Sequence, residues 1–364
     1  MKIVWLTGRR LSRDLASSTE MGLCRGLLER GNEVHMVSPG NRRIDDIPMH
    51  SPIKQTRIRG LHTISIGLAM NKFVSKNEDL FDWADCFLVD WRLVSFIWRT
   101  LDKKQADWWI IDRGPPAYTG LLAKIQNIQW SKAWKVAEKK SKGGFVVSRN
   151  HAKRVKKIIH SCMNIIPVPA GANIRDNLTA SKTPSGKIRF VYSGVLERRR
   201  DIRGIFRLLD YFDLIENGAS ITIIGEGQES AFVERLAKED ERVSFTGKMS
   251  HGDVISELNS SHVGILPMPS EEIWRLASPL KLAEYLAAGM LIVGPKHEGN
   301  TIEGDFIWDL LSEDENWQLR GVQSIREILD SDGWEDASIN AKFAAYEHLN
   351  WEKISKFLEE NLAN

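Results

Sequence analysis

The run Ser278-Pro-Leu-Lys-Leu-Ala-Glu-Tyr-Leu-Ala-Ala-Gly289, followed at once by Met290-Leu-Ile-Val-Gly294, leaves this chain few folds. Ser278 reads as a helix N-cap and Pro279 as the first helical residue, where a missing N–H costs nothing. Gly289 supplies the stop, and the apolar run after it reads as a buried strand. A helix feeding a buried strand is α/β architecture. The helix aims its N-terminal amides, with Leu280 among them, and its positive dipole end at the space ahead of Ser278. Lys281 in that first turn can reach an anion held there. Glu284, one turn on, can accept hydrogen bonds from sugar hydroxyls. An anion beside a diol is what a nucleotide diphosphate sugar presents.

Similar units recur in both halves. Lys2–Leu6 reads as a buried strand, Ser18–Arg30 as a helix closed by Gly31, and Val34–Val37 as a second strand, which together make a Rossmann half. The loop from Gly8 through Arg9 and Arg10 to Asp14 leaves the carboxyl end of the first strand, where open α/β sheets bind ligands. Cys86–Val89 runs into Asp90-Trp91-Arg92, and Trp108–Ile111 into Asp112-Arg113-Gly-Pro-Pro116. Apolar runs stopped by charge and a turn suit central parallel strands. Residues 41–80 are polar and uneven, and the run Ile53–Gly67 reads as strands. Asn164–Ile174 is a strand and a Pro/Gly turn, and the polar segment Asp176–Gly186 marks a hinge.

The second half opens with Ile188–Gly194, then a basic run through Arg198, Arg199 and Arg200 that starts a helix. A strand ending in Gly before such a run can cradle a diphosphate with amides and cations. Three consecutive arginines cannot all face one ligand. Ile221–Gln228 is another strand ending in a glycine turn, at Gly225, and Phe245-Thr-Gly247-Lys248-Met249 is a further strand end. Residues 298–305 read as a loop, residues 320–363 as helical, and Asn350–Leu362 as a closing amphipathic helix.

Taken together, these runs resemble the nucleotide-sugar signature of retaining glycosyltransferases of the two-Rossmann (GT-B) fold, family-4 type, the glycosyl transferases group 1. The resemblance covers nearly the whole chain, most specifically Phe190 to Gly294. It implies two Rossmann-like α/β domains facing across a cleft, residues 1–174 for the acceptor and 175–345 for the donor. A C-terminal helix, about residues 346–364, returns to pack on the first domain. Gly144–Ser148 then looks like the last strand of the N-terminal domain. By the same resemblance Lys281 meets the diphosphate and Glu284 the ribose. Gly194, Arg199 or Arg200, Gly225, and the backbone of Gly247, Lys248 and Met249 hold the rest of the donor, with Ser278, Pro279 and Leu280 at the helix start. Gly8, Arg9, Arg10 and Asp90 are the expected acceptor contacts. The resemblance supplies no catalytic residue in the first-domain loops, where Asp112 and Arg113 are the local candidates: Arg113 to stabilise a departing phosphate and Asp112 to orient an acceptor hydroxyl, or the two as a pair pinning the Gly-Pro-Pro turn. Several family positions differ. The glutamate eight positions before Glu284 is Leu276, an arginine after the glycine is Val195, and no histidine stands in the first-domain loops. A glycine pair before a glutamate at the first helix is replaced by Ser17-Ser18-Thr19-Glu20.

Charge is divided between the halves. Residues 1–170 hold 29 Lys and Arg against 15 Asp and Glu, a net of +14, and the remainder 21 against 33, a net of −12, within a total of +2. A basic half implies an anionic partner or simple attraction between two domains. Between Lys132 and Lys157 stand ten basic residues and one acidic, Glu138, punctuated by Trp134 and preceded by Trp130. Basic residues interleaved with tryptophan suit an anionic membrane surface, and no nucleic-acid motif accompanies them. No apolar run is long enough to span a bilayer and the N-terminus reads as too short for a signal peptide, so a cytoplasmic protein, peripheral on the membrane, is expected. Three dispersed cysteines and nine unclustered histidines suggest no metal site, and with no Asp-x-Asp motif no obligatory metal or cofactor is expected.

The expected activity is therefore transfer of a sugar from a nucleotide-diphosphate sugar to a hydroxyl of a sugar, glycan or lipid-linked acceptor. Retention is implied by the family alone. Two alternatives are an inactive binding subunit that partners an active transferase and a nucleotide-sugar epimerase. The latter needs acid/base carboxylates and histidines that are scarce here.

Overall fold

The structure, a computed structural model, describes all residues except 12–16, 55–61, 115, 117–120, 175–181, 303–308 and 364. Two compact units divide the chain: Met1–Pro169 with Trp351–Asn364, and Ala170–Asn350. Parts of the first loop (12–14), of the expected hinge (176–181) and of the loop after Gly294 (303–305) lie outside the described residues.

The first unit is built on a parallel sheet of order β3-β2-β1-β4-β5-β6-β7. Its strands are β1 (Lys2–Leu6), β2 (Glu33–Pro39), β3 (Met49–Ile53), β4 (Cys86–Asp90), β5 (Trp108–Asp112), β6 (Gly143–Val146) and β7 (Ile165–Pro167). The second unit has the order β10-β9-β8-β11-β12-β13. Its strands are β8 (Ile188–Ser193), β9 (Ala219–Ile224), β10 (Val243–Gly247), β11 (Val263–Ile265), β12 (Leu291–Pro295) and β13 (Asp309–Ser312). All the strand pairs are parallel, so helices must cover both faces, and continuous apolar runs such as Cys86–Val89 are the consequence. In each sheet the order reverses at its first strand, β1 beside β4 and β8 beside β11. Loops there diverge to opposite faces and leave a crevice at the carboxyl edge.

Two readings of the first unit are corrected. Residues 62–67 are not strand but the start of the helix His62–Lys76. The alternation Ile64, Ile66 imitates a strand, yet Ile66, Met70 and Val74 are the buried positions, four residues apart, and Ile64 is 45% exposed. Gly144–Ser148 is not the last strand either, because β7 pairs alongside β6. The glycines of β6 have a packing role: a β-carbon on Gly143 would overlap Trp109, and one on Gly144 would overlap Trp134.

The C-terminal helix, Trp351–Leu362, packs on Ser17–Glu29 within the first unit. Gly22 and Gly26, four residues apart, make the groove into which Trp351 and Ser355 fit. Glu359 closes the contact, 2.5 Å from Arg30 Nε and accepting from Asn32 Nδ2 at 2.9 Å.

Candidate functional site

In the second unit, β8 ends at Ser193 and the chain turns at Gly194, whose φ of +155° disfavours other residues. The neighbouring turn at Gly225 (φ +131°) comes so close that a β-carbon there would overlap the Gly194 carbonyl. Backbone thus packs closely on backbone at this edge of the sheet.

The side chain that meets this edge is Lys281. A β-carbon on Gly194 would lie 2.7 Å from Lys281 Nζ and 3.1 Å from Tyr192 Oη. Burial, and next the nearby Arg200 charge, push the Lys281 pKa down to about 8, with Glu284 acting in the opposite sense. Burial raises the Glu284 pKa, and Lys281 offsets part of that rise. The helix bearing both, Leu280–Ala287, is tied to the strand end by Tyr285, whose buried hydroxyl accepts the Ser193 N–H at 2.9 Å. Gly264 on β11 makes room for the Tyr285 ring.

Ser278 and Pro279 differ from expectation. Pro279 is the cap residue, with extended backbone (φ −70°, ψ 124°), and Ser278 does not cap the helix. Its hydroxyl oxygen instead accepts the Ala170 N–H at 2.8 Å, so a partner distant in sequence displaces the local one. The first helical residue is Leu280.

The arginine triplet forms one turn of 3-10 helix, stopped at Asp201, whose left-handed backbone (φ 51°) and carboxylate cap Ile202–Ile205. Each arginine goes a different way. Arg198 pairs with Glu229 at 2.6 Å, as does Arg203. Arg199 is exposed, and its carbonyl accepts the Trp274 indole N–H at 3.2 Å. Arg200 lies under the Trp274 ring, 5.0 Å from its centroid, and reaches the Tyr192 hydroxyl. Arg200, rather than Arg199, therefore joins Lys281 at Gly194. Tyr192, buried and with its pKa raised to about 12 by that burial, donates to the Val195 carbonyl at 2.9 Å. Gly247 ends β10 and its carbonyl accepts the Gly225 N–H at 2.8 Å, with Lys248 exposed and Met249 half-buried beyond it.

In the first unit the β1–β4 reversal gathers charge. Asp90 caps the helix Trp91–Lys103 through the Arg92 N–H, accepts the Gly8 N–H at 3.2 Å, and faces Arg92 Nη1 at 3.3 Å. Its oxygens are therefore engaged in holding the Gly8 turn against β4. Arg9 Nε lies 3.2 Å from Glu20 Oε1, close enough for an ion pair though out of line for a hydrogen bond. Glu20 is buried, and that burial raises its pKa. Arg10 is half-buried beside them.

Asp112 is not placed to orient an acceptor. It is wholly buried, with Oδ2 accepting from Trp130 Nε1 at 2.6 Å and Trp134 Nε1 at 3.1 Å, and Oδ1 accepting from Gly114 N. His151 Nε2 lies 3.1 Å away, also fully buried, and these partners together hold the Asp112 pKa at about 2 against the opposing effect of burial. Trp130 and Trp134 are therefore core residues and not membrane anchors, because spacing by four puts both on the inner face of Leu121–Lys140. Arg113 is buried as well, its Nη1 and Nη2 donating to the carbonyls of Val168 and Pro169.

Sequence reasoning did not single out Tyr192, Tyr285 or Trp274. A tyrosine on the apolar face of a helix, as Tyr285 is, must find a partner for its hydroxyl, and that was the available signal.

Residues 187–327 match the family described as glycosyl transferases group 1. No curated protein sequence matches the chain. Among solved structures, Anabaena HepE in complex with UDP and glucose is 12% identical, with a TM-score of 0.73 over 100% of this chain and 99% of that one. Sucrose-phosphate synthase from Thermosynechococcus elongatus is 13% identical, with a TM-score of 0.69 over 99% and 97%. An E. coli structure described as trehalose-6-phosphate bound with UDP-2-fluoro glucose is 10% identical, with a TM-score of 0.63 over 100% and 99%. The chain has the GT-B fold, two doubly wound parallel units with the last helix on the first, and its second unit carries the glycosyl transferases group 1 match.

Proposed function

We propose that the chain is a glycosyltransferase that moves a sugar from a nucleoside diphosphate sugar to an acceptor hydroxyl, with retention at the anomeric carbon. The supporting observation is the convergence of Lys281 and Arg200 on the Gly194 turn, at the reversal point of the second sheet. Two cations over a glycine-ended strand suit a diphosphate. Glu284 suits the ribose hydroxyls, and the Gly247–Met249 backbone suits the base. HepE holds UDP and glucose, and the E. coli protein UDP-2-fluoro glucose, which favours a uridine nucleotide as donor. As the anomeric carbon–oxygen bond breaks, charge grows on the leaving diphosphate, and cations already in place stabilise it. That diphosphate accepts the acceptor's proton on the same face, so the reaction needs no metal and no side-chain base.

The acceptor belongs to the first unit, around Gly8–Arg10, and is a sugar, glycan or lipid-linked sugar. Exposed Lys132, Lys135, Lys139 and Lys140 border a groove with Arg99 and Trp98, which suits contact with the anionic cytoplasmic face of a membrane. No described helix is long and apolar enough to cross a membrane.

The test is thermal shift with a panel of nucleoside diphosphates and their sugars, on wild type and Glu284→Ala. Stabilisation by one compound, lost in the variant, is expected. Flat curves with every compound would refute the donor site.

A further inference from the structure

Seven large apolar side chains are exposed among the described residues, and four of them stand on two helices of the first unit. Ile64 and Leu68, 45% and 60% exposed, belong to His62–Lys76. Ile125 and Ile128, 46% and 56% exposed, belong to Leu121–Lys140. Both helices pack against Trp91–Lys103. Both also bury their other face in one core, through Ile66, Met70 and Val74 on the first and Trp130, Trp134 and Ala137 on the second. Because the sheet is parallel, each helix returns from its carboxyl edge and begins near it.

The two helices repeat one pattern. The exposed positions Ile64, Leu68, Lys72 and Lys76 are four apart and form a ridge. On the other helix Ile125, Ile128, Lys132, Lys135 and Lys139, three and four apart, form an exposed stripe. Each row is apolar in its first turns and cationic beyond.

Carboxylates do not balance this face. Residues 54–77 and 113–137 contain no Asp or Glu, so the adjoining loops bring none. Asp102, on the helix between, lies 2.9 Å from Lys140, and Glu138 accepts the N–H groups of His160 and Ser161 at 2.6 Å each. The lysines of the two rows pair with no carboxylate among the described residues. Trp98, half-buried with the Arg99 guanidinium 5.0 Å from its ring centroid, lines the groove beside Lys132 and Lys139. A two-fold pair of copies joined through this face would bring its own unpaired lysines together, which disfavours self-association.

We propose that this face docks on an anionic bilayer, with Ile64, Leu68, Ile125 and Ile128 entering below the headgroups and the lysines of the same rows meeting the lipid phosphates. The carboxyl edge of the first sheet then lies at the bilayer surface. The inference rests on the membrane contact proposed above and adds insertion, the side chains that insert and the orientation. Burial of apolar surface makes the attachment persist in salt, where lysine contacts alone are screened.

The experiment is cosedimentation with mixed phosphatidylglycerol–phosphatidylcholine vesicles and with pure phosphatidylcholine vesicles, each in low and in high salt. Wild type should bind the anionic vesicles, and high salt should remove part of that binding and leave a remainder. Leu68→Ser with Ile128→Ser should abolish the remainder and weaken low-salt binding about tenfold or more. Lys132→Gln with Lys135→Gln and Lys139→Gln should lose the salt-sensitive part. These positions are exposed, so circular dichroism and the thermal response to UDP should stay unchanged. No binding to anionic vesicles overturns the inference together with the membrane contact. Binding that vanishes in salt and ignores the Leu68 and Ile128 substitutions overturns insertion alone. Self-association lost in that variant, without vesicle binding, overturns it in favour of an interface between copies. Failure of the donor reading shows separately, as failure of UDP to stabilise the wild type.

Discussion

Lys281 packs its ammonium against the backbone of Gly194, where a β-carbon would stand 2.7 Å from Nζ. The contact joins a strand end to a helix 87 positions later in the chain, and the absence of a side chain on Gly194 is what permits it. Gly194→Ala should therefore displace the lysine and strain a φ of +155°. We expect a stability loss of about 1–3 kcal/mol and a larger proportional loss of UDP-induced stabilisation. Thermal melts with and without UDP measure both.

If the proposed donor site is right, the lysine should also give UDP binding a pH dependence. Its pKa of about 8 means the free protein loses this cation as pH rises from there toward the ordinary value of 10.5. A bound diphosphate favours the charged form, so binding draws a proton above that pKa and UDP affinity falls across the window. Calorimetry in two buffers of different ionisation enthalpy detects the uptake. Lys281→Met should bind more weakly throughout and lose this component.

Trp274 holds Arg200 by stacking, at 5.0 Å, and by its indole bond to the Arg199 carbonyl. Trp274→Ala should leave the fold intact and free Arg200. A cation–π contact of about 0.5–2 kcal/mol corresponds to roughly a twofold to thirtyfold weakening of UDP-glucose affinity, measured by titration. Unchanged affinity would mean that Arg200 needs no such support.

Asp112 should prove a stability residue and not a catalytic one. Asp112→Ala leaves two buried indole N–H groups and His151 without their acceptor, and about 3–5 kcal/mol should be lost in denaturant melts while UDP still binds the folded protein. The depressed carboxylate stabilises the fold above its ordinary pKa of 3.8. That contribution disappears as pH falls toward about 2, a loss the variant should not show.

Gly26→Leu should detach the last helix, since even a β-carbon there overlaps Ser355. About 1–3 kcal/mol of stability should be lost, with faster proteolysis near Trp351 read by mass spectrometry. Exposed Gly31, with a left-handed φ of +83°, offers a contrast, because Gly31→Asn should cost little.

Apolar runs broken by glycine or charge are local signals, and they located β1, β2, β4, β5, β8, β9 and β10 within a residue or two. Lys281 and Glu284 were legible for the same reason, since spacing along one helix puts them on one face. The stretch at Ile64–Ile66 failed because so short an alternation fits either period, and burial by the helix Trp91–Lys103 decided between them. Trp130 and Trp134 were misread because a basic run says nothing about which face of its helix is covered.

From the sequence alone came two α/β units, their order, a nucleotide-sugar resemblance and the helix bearing Lys281. The units, their order and that helix depend on periodicity and turn chemistry, which act between residues a few positions apart, while the nucleotide-sugar reading rests on resemblance to a known family. Only the tertiary structure decided that Asp112 is a buried anchor, that Arg200 rather than Arg199 meets Lys281, and that Ser278 serves Ala170 instead of its own helix. Those outcomes depend on which polar partner arrives through space, from residues as far off as the 108 positions between Ala170 and Ser278. A buried polar group takes whichever partner the packing brings, and local spacing does not encode it.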